Sequence, residues 1–187
     1  MSTLQPSNGP ATRDRDAVAE AVAVARDSGA RMVMVDGRSG SGKTELSAAI
    51  AERVPGVRTL HLEDAYQGWF GLAEGLEEVA SGVLQALVQG RPGAYPSWDW
   101  TAGRVGRSAP VAPLQPGEIL LVEGCGALAD PVGAFADLGI WCEAPEQVRR
   151  DRAASRDSYD WSALWDAWSR QESALTCRRA PDLVFCT

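Results

Sequence analysis

Arg31-Met32-Val33-Met34-Val35-Asp36-Gly37-Arg38-Ser39-Gly40-Ser41-Gly42-Lys43-Thr44 is the stretch on which the fold turns. Arg31 to Val35 is short, apolar and β-branched and reads as a strand, while Thr44 to Arg53 is rich in Ala, Leu and Ile and reads as a helix. Between them, Gly37 to Thr44 satisfies G-x-x-x-x-G-K-[ST]. Glycines at this spacing let consecutive backbone N–H groups curl round an anion, and the partial positive charge of the helix start faces the same point. Gly37, Ser39, Gly40, Ser41, Gly42 and Lys43 are therefore the expected phosphate cradle. Lys43 would reach the β/γ oxygens of a nucleotide, and Thr44 would place its hydroxyl on Mg²⁺. Lys43 is the only lysine in the chain, every other such position being arginine, which singles it out further.

Working outward, Ile119-Leu120-Leu121-Val122-Glu123-Gly124 is an apolar run ending in an acid. In a parallel sheet that ending puts Glu123 at the carboxyl edge, where ligands collect, as a second Mg²⁺ residue opposite Thr44. His61-Leu62-Glu63-Asp64-Ala65-Tyr66 ends another strand on two acids. A hydroxyl nucleophile needs a carboxylate to orient it and accept its proton. Asp64 is the candidate base; strand alternation would point Glu63 elsewhere. Arg149, Arg152 and Arg156 fall at i, i+3 and i+7 on one helix face, where forked hydrogen bonds can stabilise a transferring phosphoryl group. A solvated face balanced by Asp151 and Asp157 is the other reading of that stripe.

The remaining pattern alternates strands with helices. Ala17 to Ser28 is a helix closed by Gly29, Val57 to Leu62 a strand, Trp69 to Gln89 mostly helix, and Glu118 to Val122 and Leu138 to Cys142 strands. Pro145 to Arg156 and Ser162 to Thr176 are helices, and Leu183 to Cys186 is a strand. Such alternation implies a parallel sheet covered on both faces. Residues 90–117 are rich in Pro and Gly and read as a long surface excursion over the site. Its aromatic cluster, Tyr95, Trp98 and Trp100 with Asp99, joins Tyr66 and Trp69 as the expected surface for a flat acceptor. Trp161, Trp165 and Trp168, at spacings of four and three, read as helix packing.

Composition narrows the function. At 187 residues and 45% apolar, the chain supports one domain, with residues 1–16 as a frayed start and 17–187 as the folded body. A formal charge of −7 argues against a polyanionic partner, so neither nucleic acid nor an anionic membrane is expected. The N-terminal residues show no signal-length apolar run, and a cytoplasmic protein, monomeric or homodimeric, is the simplest expectation. Cys125, Cys142, Cys177 and Cys186 form no C-x-x-C and His61 stands alone, so reduced thiols are expected in place of a zinc or disulfide site.

These motifs together resemble the uridine kinase branch of the P-loop nucleoside and nucleotide kinases, over roughly Met32 to Phe185. The resemblance rests on Gly37 to Thr44, on Asp64-Ala65-Tyr66, on Glu123-Gly124, on the arginine-rich run Arg149 to Asp157, and on Pro181-Asp182-Leu183-Val184-Phe185. It implies a three-layer α/β/α P-loop NTPase fold with five parallel strands in the order 2-3-1-4-5. It implies Asp64 as the catalytic base, Glu123 on magnesium, Arg152 and Arg156 in a lid of about 149–160, and Asp182 near the adenine. The segment 90–117 takes the place of the family's substrate loop. The resulting expectation is ATP- and Mg²⁺-dependent transfer of the γ-phosphoryl group to a hydroxyl of a small molecule, a nucleoside first. A kinase of a sugar acid, vitamin or nucleoside monophosphate, and a non-catalytic ATP-binding regulator, are the alternatives.

Overall fold

The computed structural model describes residues 9–156, 162–175 and 178–187. Strand β2 (Met32–Gly37) forms the centre, and every one of its residues is buried. Its alternation explains why it lacks a polar face. Val33 and Val35 pack with Val18, Val22, Leu46 and Ile50 on one side, while Met32 and Met34 pack with Leu72, Leu76, Val83 and Leu84 on the other. A strand covered by helices on both faces must be apolar at both parities, which is why it reads as one continuous run.

Around it lie β6 (Ile119–Glu123) on one side and β7 (Leu138–Glu143) on the other. Outside these come β3 (Val57–His61) and β8 (Leu183–Cys186), all parallel. These five strands follow the expected order 2-3-1-4-5. A sixth, β1 (Ala11–Thr12), adds in parallel to β8 and completes the sheet β1-β8-β7-β2-β6-β3. The expectation of a frayed start as far as Asp16 is corrected accordingly: Ala11–Thr12 joins the sheet, and Asp14 caps helix α1 (Arg15–Asp27) by accepting from Asp16 N at 2.8 Å.

Helix α2 (Lys43–Arg53) follows the glycine loop and begins on Gly42 with no side-chain cap, which leaves its first N–H groups available to an anion. On the opposite face, α3 (Leu72–Val79) continues through a π turn (Ala80–Leu84) into α4 (Gln85–Val88). A Cβ at Gly82, inside that π turn, would lie 2.4 Å from the Ala94 carbonyl oxygen, so only glycine admits the chain that follows.

That following segment corrects a second expectation. Residues 90–117 do not form an irregular excursion: Gly93–Asp99 (β4) and Arg104–Val111 (β5) pair as an antiparallel hairpin with a register shift between Pro96 and Trp98. Tyr95 turns inward to the core, and Asp99 closes the turn by accepting from Thr101 N and Ala102 N. Helices α5 (Glu146–Arg156) and α6 (Ser162–Ala174) complete the chain before β8. No described helix is long and apolar enough to cross a membrane.

Candidate active site

Because the strands are parallel, the carboxyl ends of β2, β3 and β6 share one edge, and Gly37, His61 and Glu123 arrive there together. The glycine loop leaves β2 at the point where the strand order reverses, which is where open α/β sheets bind ligands. Gly40 and Gly42 hold φ of 77° and 89°, the left-handed region that glycine alone enters without cost. At Gly40 there is a second reason, since a Cβ would fall 2.3 Å from the carbonyl oxygen of Arg149. The hydroxyl of Ser41 is buried without a partner beside this turn.

Lys43 is 8% exposed, and its Nζ donates to Arg38 O at 3.2 Å and lies 3.6 Å from Cys125 Sγ. Burial alone would lower its pKa, but the neighbouring Cys125, Glu123 and Glu172 outweigh burial and raise it. Cys125 itself is pushed up by burial and stays a thiol, so at neutral pH the two carboxylates keep the ammonium charged. Thr44 Oγ1 donates to Glu123 Oε1 at 3.3 Å, and His61 Nδ1 sits 2.6 Å from the same oxygen. The sheet register places His61 directly beside Glu123, which brings the imidazole into a role that its isolation in sequence does not suggest. A hydroxyl and a carboxylate converging beside the cradle fit the hard oxygen donors that Mg²⁺ prefers.

The loop is braced from behind by Asp36, Glu172 and Arg178, which sequence reasoning misses, and by Arg149 of the arginine stripe. Asp36 is fully buried; its Oδ1 accepts from Gly37 N at 2.7 Å and Gly126 N at 2.8 Å, and its Oδ2 accepts from Leu128 N at 3.0 Å and from Arg178. Glu172, on α6, accepts from Ser39 N at 2.8 Å and from Trp168 Nε1 at 3.0 Å. Arg149 donates to Ser39 O at 3.2 Å, and its guanidinium stands 5.6 Å from the ring centre of Trp165. Burial lowers its pKa. An acid inside the apolar run of β2 is a signal that could have marked Asp36. Nothing local could have found the roles of Glu172 and Arg178 at the loop, because Ser39 and Asp36, which they hold, lie more than a hundred residues away.

Of the three stripe arginines, Arg149 serves the loop backbone and Arg152 lines the cavity, donating to Thr187 Oγ1 at 2.7 Å and Gly40 O at 3.4 Å. Arg156 ends α5, and its side chain, like Asp157 and the rest of the expected lid to residue 160, lies outside the described residues. Cys177 does too, while Cys125, Cys142 and Cys186 are free thiols.

The acceptor side departs from expectation in a specific way. β3 ends at His61, and a 3-10 turn, Leu62–Asp64, takes over. Successive residues in such a turn point about 120° apart, so the alternation used to choose between the acids does not apply. Glu63 lines the cavity; Asp64 does not, and instead lies near enough to Tyr95 to help raise the phenol's pKa, burial being the larger cause. The aromatic set is also revised. Tyr66, Trp69 and Trp100 line the cavity, joined by Trp168 from α6. Tyr95 belongs to the core, Trp98 packs over Gly68, and Asp99 is spent on the hairpin turn. Asp182 is corrected as well. It opens β8, where its Oδ2 accepts from Gly139 N and Arg179 Nη1, both at 2.7 Å, on the sheet edge opposite the glycine loop. The end of β8 that meets the loop carries Thr187, whose Oγ1 donates to Ser41 O at 3.4 Å.

The cavity, about 430 Å³, is therefore lined by the glycine loop with Lys43, Thr44 and Arg152, by Glu45, Glu63 and Glu123, and by aromatic rings. No cluster of His, Cys, Asp and Glu that could by itself hold a metal ion occurs among the described residues. Fold and glycine loop together define a P-loop domain whose cavity is also lined by Glu63 and aromatic rings.

No family model matches the chain. A Ligilactobacillus salivarius protein named uridine kinase is 30% identical over 142 residues, covering 67% of this chain and 66% of its own length, just under two thirds. Two solved structures share the fold. A Bacillus stearothermophilus protein provisionally described as a uridine kinase superposes with a TM-score of 0.63 at 16% identity, over 91% of this chain and 96% of its own. A Silicibacter protein provisionally described as a fructose transport system kinase gives 0.60 at 20%, over 93% and 100%. By these matches the chain is similar to the uridine kinase-like P-loop kinases.

Proposed function

We propose that the protein transfers the γ-phosphoryl group of ATP to a hydroxyl of a small molecule, a nucleoside being the class that the name of its relative suggests. One observation carries this reading: a carboxylate-bearing residue, Glu63, lines the same cavity as the glycine cradle and Lys43. A nucleotide-binding regulator has no use for a proton acceptor facing the phosphates, whereas a kinase of hydroxyl compounds requires one.

In this mechanism the backbone N–H groups from Gly40 to Thr44 and the start of α2 hold the phosphates. Lys43, kept charged by Glu123 and Glu172, neutralises the β/γ oxygens. Thr44 and Glu123 would hold Mg²⁺, which supplies charge neutralisation between the two outer phosphates. Arg152 reaches the same space from α5 and stabilises charge on the transferring group. Glu63 takes the hydroxyl proton, in place of Asp64. Positioning and electrostatics carry most of the rate enhancement.

The test is an ATP-consumption screen over nucleosides, nucleotides, sugars and vitamins, run beside Lys43→Ala. Acceptor-dependent ADP formation that the variant abolishes supports the proposal. Tight ATP binding by wild type with no acceptor-dependent turnover anywhere in the screen would return the protein to the class of regulators.

A further inference from the structure

The acceptor wall is unusual in what it withholds. Tyr66 and Trp168 form its floor with ring centres 5.4 Å apart, and Trp69 stands edge-on to both Trp168, at 6.1 Å and 85°, and Trp100, at 5.3 Å and 68°. Three of these four rings have already committed their polar atoms inside the protein. The Tyr66 hydroxyl donates to Cys125 O at 2.9 Å, Trp100 Nε1 to Glu63 O at 3.1 Å, and Trp168 Nε1 to Glu172 Oε1 at 3.0 Å. Gln171 is likewise occupied, by the backbone of Trp69 and Leu72.

Charge points the same way. Glu63 faces the cavity, and among the described residues no lysine or arginine pairs with it. The two cations that line the cavity, Lys43 and Arg152, are both tied to the glycine loop at the phosphate end. The cavity is lined by four aromatic rings, whose π faces are electron-rich, and a carboxylate beside such rings deepens the negative potential. Apart from accepting a hydroxyl proton, this wall offers nothing to an anion and little to a base edge that must be read by hydrogen bonds.

Resting on the phosphotransfer reading above but departing from the nucleoside that the relative's name suggests, we infer that the acceptor is a hydroxyl compound whose other end bears a positive charge on a quaternary or ring nitrogen. Its cation sits against Trp69, Trp100 and Trp168, and its hydroxyl points to Glu63. A nucleoside monophosphate or sugar acid would meet a carboxylate and π faces with no compensating cation.

Matched pairs test this directly. Choline and its neutral carbon isostere, and an N-(hydroxyethyl)pyridinium and its phenyl isostere, differ in charge but hardly in shape. Each is titrated calorimetrically into the protein held with a non-hydrolysable ATP analogue and Mg²⁺, with a nucleoside monophosphate as the anionic control. The cationic member of at least one pair should bind roughly tenfold tighter than its isostere, as expected for a desolvated cation–π site. Trp100→Leu should remove that preference and Trp100→Phe should keep most of it, because a face is needed and not merely bulk. Equal binding within both pairs, no binding by either cation, or preference for the monophosphate overturns the inference. The ATP analogue is first titrated into the protein by itself, and its failure to bind would instead strike the kinase reading.

Discussion

Asp36→Asn isolates what holds the phosphate loop in shape. The wild-type carboxylate uses both oxygens: Oδ1 serves Gly37 N and Gly126 N, while Oδ2 serves Leu128 N and Arg178. Asparagine preserves size and one oxygen, so the first pair survives. Its NH₂ group, however, replaces Oδ2 and confronts two donors. The loss comprises a charge-assisted bond of about 1.5–3 kcal/mol and an unpaired buried N–H of about 1–3 kcal/mol. Removing one partner of a buried ion pair independently suggests about 3–5 kcal/mol, and the two routes agree. Against a total stability of about 5–15 kcal/mol the variant should still fold, with its thermal midpoint lowered by roughly 6–20 °C for a chain of this size. Urea unfolding followed by tryptophan fluorescence measures the difference. Adding Arg178→Met should recover part of it, because much of the penalty is the stranded guanidinium. A midpoint within the error of wild type for Asp36→Asn, or a double variant no better than the single, would refute the reasoning.

Three further outcomes follow from the geometry. Glu63→Gln should cut acceptor phosphorylation by roughly 10²-fold or more, the usual contribution of a general base, while Asp64→Asn leaves it within a few-fold of wild type; the reverse result in steady-state kinetics would restore Asp64 as the base. Arg152→Ala should lower kcat more than it weakens ATP binding, since charge stabilisation is needed most in the transition state, and equal kcat in the variant would reduce Arg152 to a tether for Thr187. Burial pushes the Cys142 thiol up to about 12, and a thiol whose folded pKa is raised contributes stability that is complete below its unfolded value near 9 and is lost as pH climbs toward 12. Urea midpoints taken between pH 8 and 11 should therefore fall more steeply for wild type than for Cys142→Ala, and parallel curves would remove Cys142 from the alkaline limb.

The sequence alone determined whatever is encoded locally. A strand covered on both faces is apolar at both parities, Asp36 at the loop end of β2 being the exception, and a loop that wraps an anion must have glycine where φ is positive, so β2, Gly37 to Thr44 and α2 were legible within a window of about twenty residues. The same holds for Glu123, because an acid closing an apolar parallel strand has only one edge of the sheet to occupy. Tertiary structure decided the rest. Which of Glu63 and Asp64 lines the cavity depended on β3 giving way to a 3-10 turn at Leu62, a rotation of about 120° that no strand periodicity contains. Asp182 resembles a nucleotide residue by its place in a motif, but the direction of β8 in the sheet puts it on the far edge and brings Thr187 to the loop instead. Trp168 and Glu172 reached the site only because α6 packs across it. Contacts between residues so far apart in the chain are fixed by the packing of whole elements, and a local pattern carries no record of them.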